Sequence, residues 1–206
     1  MREIGGTRRR ARYCWAVNGE HEALIRRVLG TNFLELKIEK IAVDEVPDQG
    51  TVTKLVLVEG DQRHEAEGKG VGVVDAMYAA VLERYAREYQ SLSKLRLVAF
   101  KVAADVATKK AQAGVDAVGR VTLEVSNSEG KHFAFEDASR SVTASTAKVV
   151  IAMVQYFVNA ERAFMTLHNA RNDAAARGRE DLVARYTAEM AEIVESTSYV
   201  DVIKKT

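Results

Sequence analysis

The chain has 206 residues, enough for one generous domain or two small ones, and its 47% apolar content suits a folded core rather than disorder. Thirty basic and 29 acidic residues leave a net charge of +1, which points to neither nucleic acid nor a membrane as partner. The single cysteine, Cys14, excludes a disulfide framework or a multi-thiolate metal site and fits a reducing, cytoplasmic compartment, and the absence of a long apolar run argues against secretion or membrane insertion.

Residues 1–31 read as a basic, flexible arm. Gly5 and Gly6 precede Arg8, Arg9, Arg10 and Arg12, and a short helix-like stretch follows at Leu24, Ile25, Val28 and Leu29. With no further basic segment or stacking aromatics beside them, the arginines read as a solvated tail.

Alternation then begins. Leu34, Leu36 and Ile38 are separated by charged residues, as in a strand buried on one face. Pro47 to Gly50 make a turn, residues 51–59 form a second strand with β-branched Val52, Thr53, Val56 and Val58, and a third strand covers 62–67. The glycines at 68, 70 and 72 lead into a helix with Tyr78, Val81, Leu82, Tyr85 and Tyr89 at helical spacing. The order is β-β-β-α.

The same order returns with strands at 95–106, 117–126 and 131–136, the last two carrying Val121, Leu123, Val125, Phe133 and Phe135 in alternation, and then a helix. Superposing Glu59-Gly60 on Glu129-Gly130 brings Val81 over Ile151, as a duplicated unit would. The second helix runs far without a proline until Gly178, after which Leu182, Val183, Tyr186, Met190, Ile193 and Val194 make one stripe of a final helix. The expected fold is α+β: a basic arm (1–31), two β-β-β-α units (32–160) and a C-terminal helical hairpin (161–206).

Motifs for chemistry are few. The four histidines, His21, His64, His132 and His168, lie on different elements without metal-ligand spacing, and His168 reads as an exposed helix residue. Cys14 has no base beside it. No catalytic residue, metal or cofactor is assigned. The segment Gly68 to Gly72 stands out, because glycines before a helix either expose N–H groups to an anion or simply make a tight turn. Their spacing is neither the dinucleotide fingerprint nor a P-loop.

Gly70-Val71-Gly72-Val73-Val74-Asp75-Ala76 resembles the Gly-Asn-Gly-Pro-Val-Asp-Ala signature that opens the first helix of the regulatory domain of 2-isopropylmalate synthase and citramalate synthase. Ala113 to Leu123 resembles that domain's Gly-Lys-Asp-Ala-Leu-Gly-Glu-Val segment, and Val142-Thr143-Ala144-Ser145 its Ile-Glu-Ala-Ser. The resemblance implies a homodimeric allosteric module that binds leucine or isoleucine as feedback effector and acts on a synthase catalytic partner. Carried over position by position, it assigns Gly70, Gly72, Asp75, Ala76, Gly114, Asp116 and Ala117 to effector binding. The sequence departs from the pattern at Val71 and Val73, and at Ala134 and Glu136, where the second unit's glycines are expected, so the first unit is the expected effector holder. These 206 residues contain no counterpart of the family's catalytic barrel, so the chain is expected not to be an enzyme. The alternative expectation is a ligand-free oligomerisation scaffold, and a weaker one is RNA binding through the arginine arm.

Overall fold

The computed structural model describes residues 14–15, 19–104 and 118–197. After β1 (Cys14–Trp15) and α1 (Gly19–Leu29), one 3-10 turn leads into β2 (Leu36–Val46), β3 (Gly50–Glu59), β4 (Gln62–Gly70) and α2 (Val73–Tyr85). A short α3 (Gln90–Ser93) connects to β5 (Arg96–Ala104), β6 (Gly119–Ser126), β7 (His132–Ser139), α4 (Val142–Ala176) and α5 (Glu180–Thr197). Both β-β-β-α units and the helical hairpin expected from the sequence are present.

The first unit forms an antiparallel sheet in the order β2-β3-β4, and the second forms β1-β7-β6-β5. Their inward rows are Thr51, Thr53, Leu55 and Leu57 on β3 and Val121, Leu123 and Val125 on β6, all buried, with polar or half-exposed residues between them. The β3–β4 turn at Gly60 and the β6–β7 turn at Gly130 both require a left-handed residue (φ 58° and 77°), so the repeated Glu-Gly pair serves one backbone purpose in both units. The first strand is longer than the alternation suggested. Ile41, Val43 and Glu45 stay in register with Leu55, Thr53 and Thr51, although Lys40 and Asp44 carry no apolar signal.

Helix α2 packs on β3 and β4, α4 packs on β6 and β7, and the two helices meet, giving one continuous core. Packed between the second sheet, α2 and β2, α4 is buried on every side from Val149 to Glu161, and its residues there are apolar except Gln155, Asn159 and Glu161. Two amides on it have a defined task. Asn159 Oδ1 accepts the Leu34 N–H at 2.7 Å and its Nδ2 donates to the Leu34 carbonyl at 2.9 Å, while Gln155 accepts the Leu36 N–H. These bonds satisfy backbone groups at the start of an edge strand and fix where β2 meets the helix.

Residues 19–29, read as part of the arm, are instead an integral helix: Leu24, Ile25 and Leu29 are buried with Ala163, Phe164 and Leu167 of α4 and Met190 and Ile193 of α5. The stripe at 24, 25, 28 and 29 has helical spacing, and α4 and α5 supply the apolar surface it needs. Residues 1–13 and 16–18 of the arm lie outside the described residues. Helix α4 continues through position 161 without a break and ends at Gly178, where the Arg179 and Gly178 N–H groups bond back to the carbonyls of Ala174 and Ala175.

Candidate functional site

The segment singled out by its glycines is where β4 turns into α2. Gly68 and Gly70 belong to the strand, and their missing side chains let the helix sit against the sheet. A Cβ on Gly68 would lie 2.8 Å from Ala80 Cα and closer still to backbone atoms of Ala76 and Ala80, and one on Gly70 would lie 2.5 Å from the Ala76 nitrogen. Gly72 is different. It is the N-cap of α2, extended at φ −144° and ψ 177°, with open space where a Cβ would be and no side chain capping the helix.

The N–H groups of Val73, Val74 and Asp75 therefore begin the helix without intrahelical acceptors, at the positive end of its dipole. Asp75 and Val71 are exposed, the latter at 90%, whereas Ala76 is fully buried. Of the predicted effector residues, the structure brings Gly70, Gly72, Asp75 and Ala76 together within two turns. Gly70 and Ala76 pack against each other, and Gly72 and Asp75 face outward. Gly114, Asp116 and Ala117 lie outside the described residues.

Two neighbouring residues escaped the sequence reading. Thr51 and Thr53 stand opposite Gly70 and Gly68 across β3 and β4, are 2% and 0% exposed, and their hydroxyls have no hydrogen-bond partner. The available signal was two threonines in an inward row that is otherwise leucine.

The second unit treats the equivalent place in the opposite way. Counting back from the helix caps Gly72 and Ser141, the counterparts of Gly68 and Gly70 are Asp137 and Ser139. Ala134 and Glu136, the positions expected from the sequence, lie further back in β7, level with Glu65 and Glu67 of β4 by the same count. Here α4 satisfies its own first turn. The Ser141 Oγ accepts the Ala144 N–H at 3.2 Å, and the Ser145 hydroxyl donates to Asp137 at 2.6 Å with Ser139 Oγ 2.8 Å away. Lys148 Nζ adds a cation 3.4 Å from the same carboxylate. One helix start is thus open and the other is closed by its own side chains.

The clefts around Tyr89, between β2 and α4 and along β4 have none of Gly70, Gly72, Asp75 or Ala76 in their walls. One of about 990 Å³ lies around Tyr89, Glu161 and Arg162, and the Arg162 Nε donates to the Tyr89 hydroxyl at 2.7 Å. A second, about 1110 Å³, lies between β2 and α4, and a third, about 700 Å³, follows β4. His132 pairs with Glu124 at 2.7 Å, which lowers the Glu124 pKa, and His64 lies 3.9 Å from Glu59, so the two histidines serve separate sheets. His168 is half-buried and stacked on Phe164, with Nδ1 unpartnered, rather than fully exposed. Among the described residues no group of three His, Cys, Asp or Glu converges to hold a metal, and no helix is long and apolar enough to cross a membrane.

Residues 17–158 match the family model described as the LeuA allosteric (dimerisation) domain, a span that takes in α1 and both units and ends within α4. No curated protein matches the chain.

Proposed function

Because the chain belongs to the LeuA allosteric (dimerisation) domain family, we propose that it is a homodimeric regulatory module that binds a branched-chain amino acid, leucine or isoleucine, at the start of α2 and acts on a synthase partner. The observation that carries this reading is the contrast between the two helix starts: α4 is capped by Ser141, whereas α2 has glycine at the same place and leaves its first N–H groups free. The effector carboxylate accepts from these groups, where the helix dipole adds to the attraction. Asp75, exposed in the first turn, takes the ammonium. Val71 offers apolar contact to the branched side chain.

The dimer contact rests on the edge strands. On β2 and β5, Val43 and Val102 face the same way as the core residues opposite them, Thr53 and Val121, yet are 39% and 50% exposed. Leu97, opposite the buried Val125, adds to this apolar surface, which a second copy covers.

Titration calorimetry with leucine, isoleucine and valine tests the effector reading, with Gly72→Ser as the diagnostic variant. Serine at this N-cap supplies an oxygen to the same N–H groups, as Ser141 does in the second unit, so the variant keeps its fold and loses effector binding. One observation favours the alternative of a ligand-free scaffold: none of the three clefts reaches the start of α2. Absence of heat with all three amino acids at millimolar concentration, with the dimer intact, decides for the scaffold.

A further inference from the structure

The two sheets differ at one edge. In the second unit the outer edge of β7 is covered by β1, with Cys14 opposite Glu136 and Trp15 opposite Phe135. In the first unit the equivalent edge of β4 has no strand beside it among the described residues. Counting from the helix caps, Phe135 and Glu136 correspond to Ala66 and Glu67. Along that stretch runs the groove of about 700 Å³, walled by Glu65, Ala66 and Glu67 on the strand and by Ala80, Glu83 and Arg84 on α2. Where the second unit places the large, buried Phe135 in its inward row, the first places Ala66, and Ala80 of the helix is equally small.

Charge also marks this edge. Glu65 and Glu67 are exposed on the outer face of β4, Glu67 3.1 Å from Lys54 on its β3 side, and Glu83 and Glu88 line the same groove. Of the groove's two arginines, Arg87 is taken up by Glu83 at 3.3 Å. A second β4 makes a poor occupant. Its inward row of His64, Ala66, Gly68 and Gly70 has no large apolar side chain, and pairing centred on Ala66 would set Glu65 against Glu67 and Arg63 against Lys69, like charge against like.

We propose that the β4 edge is a docking site for an extended segment of a partner protein, which adds as an antiparallel strand with a large apolar residue opposite Ala66 and basic residues opposite Glu65 and Glu67. Backbone hydrogen bonds to the open edge supply affinity that is independent of sequence. The small inward residues and the two carboxylates select the alternating apolar and basic pattern. The site is separate from the effector site and does not depend on it.

The probe is the capped synthetic peptide Thr-Val-Lys-Phe-Lys-Val-Thr, which places phenylalanine opposite Ala66 and lysines opposite Glu65 and Glu67, with the same peptide carrying glutamates for lysines as its counterpart. Hydrogen exchange on the full chain should show saturable slowing in residues 62–70 with the lysine peptide. The charge-swapped variant E65K/E67K, altered only at exposed positions, should weaken the lysine peptide by about tenfold and bind the glutamate peptide in its place. The proposal is overturned if both peptides bind the wild-type chain equally, if residues 62–70 are unaffected, or if the slowing falls on residues 132–139 because the peptide displaces β1. Protection of β4 that rises with protein concentration alone would also overturn it, because a second copy would then hold the edge.

Discussion

Replacing Gly68 by alanine isolates the packing role of the β4 glycines. The new methyl would meet the Ala76 carbonyl oxygen and the Ala80 nitrogen, both backbone atoms of α2, and would lie 2.8 Å from Ala80 Cα. No rotamer relieves a contact made by Cβ, so the helix must rise from the sheet by roughly an ångström, loosening Met77, Ala80 and Val81, all at most 1% exposed. Overpacking of this kind costs about 1–3 kcal/mol, and because two backbone segments obstruct the methyl the upper end, about 3 kcal/mol, is expected. Gly72→Ala is the matched control, since nothing lies within 4 Å of its Cβ and its φ suits any residue. Its cost is that of alanine at an N-cap, no more than about 1 kcal/mol. Urea unfolding followed by circular dichroism measures both variants, and at unchanged m-value the midpoint reports stability. Gly68→Ala unfolding within about 0.5 kcal/mol of wild type would refute the close-approach account. The comparison also makes Gly70 unsuitable for testing effector binding, because a side chain there meets Ala76 and Asp75 and damages the fold first.

Asn159→Leu strips the partners from the buried Leu34 N–H and carbonyl and should cost about 2–4 kcal/mol in urea unfolding, whereas a loss under about 1 kcal/mol would mean that water replaces the amide. Burial pushes Tyr78 and Tyr85 up to about 12, with Glu59 adding to the effect on Tyr85. Because the folded values exceed the unfolded one, their stabilisation is fully present below about pH 10 and is lost as pH rises through 12, so phenolate absorbance from both should appear late and together with unfolding. Arg179 holds the Asp181 carboxyl down at about 2; its NMR titration midpoint should sit there and climb in Arg179→Ala, and an unchanged midpoint would discount the pair. Val102→Glu should shift sedimentation from dimer to monomer without altering the fold, and an unchanged dimer would move the interface elsewhere.

Much of the fold can be read from residue patterns. The alternation at Val121, Leu123 and Val125 needs only a sheet with one buried face, and the proline-free run after Ser141 needs only a helix that never has to stop before Gly178. The tail of β2 was less visible, because beyond Ile41 its residues are all exposed and only pairing with β3 holds them extended. For α1 the stripe was visible, but its burial depended on α4 and α5, which are far away in sequence.

The site divides in the same way. Its signature at Gly70, Gly72, Asp75 and Ala76 was visible in the sequence, as was the inequality of the two units. The separate roles of the glycines were not, because a glycine required by a neighbour's close approach and one that leaves a helix uncapped are the same letter. Only the distance from β4 to α2 assigns Gly68 and Gly70 to packing and leaves Gly72 at the open helix start. The sequence alone determined two β-β-β-α units and where their helices begin, since periodicity and turn residues are local. Which helix start stays open, and which sheet edge stays bare, was decided by contacts between elements brought together only on folding.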